Sequence, residues 1–272
     1  MEVTVLLFAK LPVPGAVKTR LASSVGPAAA ARLAAAMLVD RLAMISSHFS
    51  GEEATRVLCG DQRTSDPFCP YLDLASQALT NRDCKKKFHP HAHATGWDYR
   101  NQGEGALGER LFRWIEHFQG RNLLILGTDA MSQGSKLFFT VVKSLAAGEA
   151  VMEPAEDGGF NLLALPAEDP ARGLDPLREA LTGGNLPWEK VAKAVKECRW
   201  RLRLLPPAPD IDTIADLNSM LRRWNSSPNE RGNSLHICHE VAKLPKDVWR
   251  DGTEMPILKA RKPVPGAVPD KE

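Results

Sequence analysis

Four stretches of the 272-residue sequence gather side chains able to handle a polyphosphate and a cation. The first is Lys10-Leu11-Pro12-Val13-Pro14-Gly15-Ala16-Val17-Lys18-Thr19-Arg20-Leu21, whose prolines and glycine forbid a regular element over residues 10–15. Gly15 and the constrained prolines can turn backbone N–H groups toward an anion, and Lys18 and Arg20 add two cations suited to a di- or triphosphate. Paired cations also occur on ordinary solvated turns, and the spacing is not that of a Walker A loop. In the second stretch, Asp129 follows the apolar run Asn122 to Leu126 (NLLIL). A carboxylate there projects from a strand's carboxyl end, where it can hold Mg²⁺ or Mn²⁺ through oxygen or cap a following helix. Third, Asp210-Ile211-Asp212-Thr213 precedes a helical pattern. An extended backbone would point Asp210 and Asp212 to one side, and Asp212 also stands where a helix cap would. Finally, Glu156-Asp157-Gly158-Gly159 reads either as a tight turn or as carboxylates facing the same pocket.

Other constellations lead elsewhere. Gly103-Glu104-Gly105-Ala106-Leu107-Gly108 fits the dinucleotide pattern G-x-G-x-x-G, with Asp129 about 20 residues on. The preceding GWDYRNQ (96–102) is too polar to suggest a strand, so the turn lacks the element that would aim a pyrophosphate at the helix N-terminus. His89, His91 and His93, and His236, Cys238 and His239, lack the four-ligand spacing of a tetrahedral metal site and read as solvated segments. No Ser-His-Asp or G-x-S-x-G arrangement is visible.

These residues need elements to hold them. Val3 to Phe8 is a strand; the run from Pro27 through Phe49 carries Ala30, Leu33, Ala34, Met37, Leu38, Leu42 and Ile45 at helical spacing and predicts an amphipathic helix; Thr55 to Cys59 is a second strand. This β-loop-α-β opening predicts a parallel sheet with a right-handed crossover. Residues 61–106 are polar and read as loops with one short helix. Beyond them come a helix from Leu107 to Phe118, the NLLIL strand, a helix over 134–147, strands at 150–152 and 160–165, helices over 174–182 and 188–198, a strand over 201–205 and a capped helix over 212–224. Residues 1–224 therefore form one α/β domain, and 225–272, rich in Pro, Lys and Asp, read as a polar tail, flexible or loosely packed.

Composition narrows the class. With 43% hydrophobic and 25% charged residues the chain is an ordinary globular protein. Lys plus Arg (35) nearly balance Asp plus Glu (33), for a formal charge of +2, which leaves no global footprint for nucleic acid. Five cysteines without a C-x-x-C pair suggest neither a disulfide framework nor a zinc ribbon, so a reducing cytoplasm fits. The apolar start is too short for a signal peptide or a membrane span.

Taken in order, FAKLPVPGAVKTRL (8–21), GALGERL (105–111), LGTD (126–129), EPAEDGGFNLLAL (153–165) and DIDTIADL (210–217) resemble the glycosyltransferase-like family called radical-SAM/selenodomain-associated transferase 1, over about residues 1–224. The resemblance implies the GT-A fold of the nucleotide-diphospho-sugar transferase superfamily, a Rossmann-type three-layer α/β/α arrangement with a mainly parallel mixed sheet. The loop ending Lys-x-Arg-Leu also resembles the phosphate loop of the 2-phospholactate and, more distantly, molybdenum-cofactor guanylyltransferases. It implies a nucleotide-binding and phosphate-binding set of Ala9, Lys10, Pro14, Gly15, Lys18, Arg20, Gly127 and Thr128, catalytic roles for Asp129, Asp157 and Lys18, and a divalent metal, Mg or Mn, on Asp129 and Asp212. Ala106, Ala130-Met131, Phe160 and Trp188-Glu189-Lys190 stand where that family usually carries Asp, Ser-Pro or Cys-Pro, Tyr and Trp-Ser-Thr. The implied activity is metal-dependent transfer from a nucleotide-activated donor, most simply a nucleotide sugar, to a small-molecule acceptor. Nucleotidyl transfer with release of pyrophosphate and nucleotide binding without turnover are the alternatives.

Overall fold

Among the described residues seven strands, numbered β1 to β7 in chain order, build one sheet in the order β3-β2-β1-β4-β6-β5-β7. The computed structural model describes residues 1–49, 54–61, 96–130, 135–167, 173–226 and 235–244. β1 (Val3–Ala9), β2 (Ala54–Gly60), β3 (Trp97–Asn101) and β4 (Asn122–Gly127) run parallel; β6 (Phe160–Leu165) is antiparallel to β4 and to β5 (Glu149–Pro154), and β7 (Arg201–Leu204) is parallel to β5. β1 and β4 are therefore direct neighbours, paired from Val3 with Asn122 to Phe8 with Gly127. Their carboxyl ends open side by side, so the basic loop after β1 and the acidic turn after β4 face one crevice, the usual ligand position in open α/β sheets.

The predominantly apolar β1 and β4 are central and buried on both faces, as their hydrophobic runs require. Their side chains alternate between two cores. Leu6, Phe8, Leu123 and Ile125 pack against α3 (Leu107–His117), α5 (Asp175–Thr182) and α6 (Trp188–Glu197). Val5, Leu7, Leu124 and Leu126 pack against α2 (Pro27–His48) and α4 (Ser135–Ala146). The layering is α/β/α, as the sequence implies.

Four elements depart from the sequence reading. A short helix, α1 (Thr19–Val25), precedes α2, launched by Lys18 in the left-handed region at φ 49°. The strand β3 lies within the stretch taken for loop; it is an edge strand that buries Trp97 and leaves its polar side chains partly exposed, so it shows no apolar run. The long helix α2 is not amphipathic, because it is covered on more than one side. Leu38, Leu42 and Ile45 meet the sheet, whereas Ala29, Leu33, Ala36 and Met37 meet α1, α7 (Ile214–Ser226) and α8 (Leu235–Val241).

Helix α8 lies within the stretch read as tail. Ile237, Cys238, Val241 and the following Leu244 are buried in that third core, and the Ile237 N–H donates to Asp40 Oδ2 at 3.0 Å. Buried Glu240 accepts from Arg32 Nε at 3.1 Å and from Lys243 at 2.6 Å. No helix among the described residues is long and apolar enough to cross a membrane.

Candidate functional site

A cleft of about 490 Å³ opens over the carboxyl ends of β1 and β4, with Lys18, Asp129 and Asp212 at its head. The ammonium of Lys18, only 6% exposed, lies 2.9 Å from Asp129 Oδ2 and 2.8 Å from Asp212 Oδ1. Arg20 pairs with the other oxygen of Asp212, and the Thr128 hydroxyl donates to Asp129 Oδ1 at 2.8 Å. Burial works to lower the Lys18 pKa, but the two carboxylates outweigh it and hold the group above its ordinary value. Burial likewise opposes the charge on Asp212, and Lys18 and Arg20 overcome it, so that carboxyl titrates below its usual range.

The sequence explains why Asp212 is available. Thr213 and Asp216 cap α7 reciprocally: Asp216 Oδ2 accepts from the Thr213 N–H at 2.7 Å, and Thr213 Oγ1 accepts from the Asp216 N–H at 3.2 Å. The cap is Thr213, not Asp212. Asp129 is likewise no cap of α4, which begins at Ser135; its carboxylate turns to Lys18.

Of the expected phosphate-binding residues, Ala9, Lys10, Lys18, Arg20, Gly127 and Thr128 line this cleft, together with Asp129 and Asp212. Pro14 and Gly15 do not. The Ala16 N–H donates to Val13 O at 3.0 Å, and Gly15 has φ +83°, so these residues turn the chain back toward Lys18 instead of offering donors to a ligand. Gln102 and Arg110 also line the cleft. Gln102 is buried; its side-chain amide donates to Ala9 O at 2.9 Å and to Cys59 O at 3.1 Å, and its oxygen accepts from Arg110. It thus ties the ends of β1 and β2 and orients a guanidinium on the cleft wall. Sequence reasoning missed both residues, though Arg110 stands inside the GALGERL block.

A second cavity of about 240 Å³ shares Phe8, Leu107, Gly127 and Asp129 with the first. Asp157 and Asp210 line it, with Asn161 and an apolar wall that includes Phe160 and Leu186. Burial and then the nearby Asp157 raise the Asp210 pKa. Asp210 and Asp212 thus serve adjoining cavities. Beneath the site, burial lowers the Arg41 pKa to about 10 against the pull of Glu153, Asp129 and Asp40. Burial raises that of Glu153 to about 7 despite Arg41.

The dinucleotide-like glycines belong to another arrangement. A strand, β3, does precede them, contrary to the sequence reading. The N-terminus of α3 is nevertheless taken by its own residue: Glu109 accepts from the Ala106 N–H at 3.0 Å. β3 and β4 are separated by two strands, so Asp129 does not end the strand next to β3, where a ribose-binding acid would stand. Gly108 faces Leu181 of α5 and serves helix contact.

Cys59, Cys198 and Cys238 are buried. Cys69, Cys84, His89, His91 and His93 lie outside the described residues, as do the side chains of His236 and His239. Among the described residues no group of three or more His, Cys, Asp or Glu is arranged to hold a metal ion.

A family model described as "Uncharacterized protein conserved in bacteria (DUF2064)" matches residues 66–178. No curated protein matches the chain. Among solved structures, a candidate nucleotide-diphospho-sugar transferase from Desulfovibrio desulfuricans G20 is similar at 22% identity and a TM-score of 0.65, over 89% of this chain and 96% of that one. A cytidylyltransferase from Leptospira borgpetersenii serovar Hardjo-bovis (strain JB197) overlaps at 15% identity and a TM-score of 0.46, over 89% and 94% of the two chains. A 4-diphosphocytidyl-2C-methyl-D-erythritol synthase from Anaerococcus prevotii DSM 20548 overlaps at 12% and 0.46, over 82% and 99%. The chain shares the mixed α/β fold of the Desulfovibrio protein across most of its length.

Proposed function

We propose that this protein is a metal-dependent transferase acting on a nucleotide-activated substrate, with glycosyl transfer from a nucleotide sugar as its reaction. The supporting observation is the convergence of buried Lys18 with Asp129 and Asp212 at the head of a cleft that Arg20 and Arg110 also line. Five charged groups gathered over the ends of two adjacent strands, three of them cations, suit a diphosphate better than any neutral ligand. The donor sugar's diphosphate lies along Lys18, Arg20 and Arg110, and its anomeric carbon faces the second cavity. An acceptor hydroxyl there attacks that carbon, the bond from carbon to the diphosphate oxygen breaks, and the electron pair departs with the nucleoside diphosphate. The Asp157 and Asp210 pair takes the hydroxyl proton, a role suited to the raised proton affinity of Asp210. Asp129 and Asp212 are hard oxygen donors fitted to Mg²⁺ or Mn²⁺, with the remaining oxygens coming from the substrate's phosphates. When bound, that ion neutralises charge growing on the leaving group.

The test is incubation with Mn²⁺ and a panel of nucleotides and nucleotide sugars, reading thermal shift and released product. Release of nucleoside diphosphate is the expected result. Pyrophosphate release would reassign the reaction to nucleotidyl transfer, which uses the same basic loop. Saturable binding without product would make the chain a nucleotide sensor, and no shift with any nucleotide would overturn the proposal.

A further inference from the structure

We infer that Lys18 is the resident cation of the Asp129 and Asp212 carboxylates and must be drawn off by a polyphosphate before a divalent ion can bind them, so that the two ligands load cooperatively. The inference rests on the proposed reading of the cleft and adds an order to it.

All four carboxylate oxygens are engaged. Lys18 holds one oxygen of each residue, Thr128 donates to the second oxygen of Asp129, and Arg20 pairs with the second oxygen of Asp212. Two carboxylates against one ammonium and one guanidinium leave this cluster with no net charge. A dication arriving alone meets no net attraction, and it meets a buried positive charge at the oxygens it needs. Lys18 has somewhere else to go, because it lines the same cleft as Lys10, Arg20 and Arg110. A polyphosphate in that space offers the ammonium an equivalent anionic partner within reach of its four-carbon stem. The backbone of Lys18 is tied to α1, its carbonyl accepting from the Ala22 N–H at 2.7 Å, so the exchange needs only a swing of the side chain. Once the ammonium turns to phosphate, one oxygen on each carboxylate is exposed beside the phosphate oxygens that complete a divalent site. The coupling is reciprocal, so the metal raises polyphosphate affinity by the same factor.

The experiment measures Mn²⁺ binding by electron paramagnetic resonance of the free ion, at constant pH, with protein-free nucleotide controls. The samples are the wild-type protein alone, wild-type protein with saturating UDP, GDP, CDP or ADP in turn, and the Lys18→Met variant alone. The coupling expected for two linked sites is about tenfold or more. Nucleotide should tighten Mn²⁺ binding to wild-type protein by about that factor, and Lys18→Met without nucleotide should gain a similar factor over wild type. A lysine that only attracts phosphate predicts no gain in the variant. If wild-type protein with nucleotide binds Mn²⁺ through Asp129, as Asp129→Asn reports, but Lys18→Met alone binds no tighter than wild type, the exchange is overturned and the reading of the cleft stands. If no nucleotide produces Asp129-dependent Mn²⁺ binding, both fall. Circular dichroism reports the folding of Lys18→Met. Should that variant not fold, equal Mn²⁺ affinity of wild-type protein with and without nucleotide overturns the exchange.

Discussion

Gly108→Ala sets two physical effects against each other. Gly108 is the second residue of α3, where alanine is favoured over glycine by about 1 kcal/mol and also restricts the unfolded chain. On those grounds the substitution stabilises. A Cβ at this position, however, would lie 1.8 Å from the carbonyl oxygen of Leu181 and 2.9 Å from Leu186 Cδ2, where ordinary contact begins at 3.4 Å. The obstructing atom is backbone at the end of α5, so no rotamer change relieves it, and α3 and α5 must separate. Overpacking of this kind costs about 1–3 kcal/mol, and the backbone obstruction puts the cost at or above the top of that range. The net loss is about 2 kcal/mol, which lowers Tm by about 4–8 °C in a domain of this size. Thermal and urea unfolding measure it. Because α3 carries Leu107 and Arg110 into the cleft, nucleotide affinity should fall as well. An alanine variant as stable as the parent would show that close helix contact is not why glycine stands here.

Asp129→Asn should abolish metal-dependent nucleotide binding while the fold persists, because the Asp129 side chain is 43% exposed and Lys18 keeps Asp212 as its partner at 2.8 Å; calorimetry with and without Mn²⁺ checks it, and unchanged metal dependence would remove Asp129 from the site. Glu153 has its folded pKa raised to about 7 from an ordinary 4.5, so the folded state favours its proton and stability falls as pH rises across that window, by up to about 3 kcal/mol. Denaturant midpoints between pH 5 and 8 should flatten in Glu153→Gln, and an unchanged profile would refute the assignment. Lys18 and Asp212 shift in opposite senses: the Asp212 contribution is lost as pH falls through its lowered pKa, the Lys18 contribution as pH rises through its raised one, so their joint contribution is level from about pH 5 to 9. Ile237→Ala, at a fully buried position of α8, should cost about 2–5 kcal/mol in urea unfolding. A loss under 0.5 kcal/mol would mean that α8 does not pack on α2.

Strong local signals were legible in the residues alone. The apolar runs of β1 and β4 are buried on both faces, and continuous hydrophobicity is what such strands need. The loop from Lys10 to Leu21 and the acid after NLLIL were legible because charge at a strand end has few structural uses. The edge strand β3 escaped notice because an edge buries only part of its side chains. So did α1, whose entry through a left-handed lysine carries no cap signature.

Sequence by itself determined six of the seven described strands, most of the helices, and which charged residues sit at chain reversals, since period and turn chemistry act over a few residues. Strand order did the rest. Only β1 lying against β4, 119 positions apart at Phe8 and Gly127, brings Lys18 to Asp129, and only the Thr213 and Asp216 cap leaves Asp212 to join them. Gln102 and Arg110 became cleft residues because Gln102 bridges the ends of two parallel strands. Such partners are chosen by which faces bury together, a balance summed over the whole chain that no short window of residues contains.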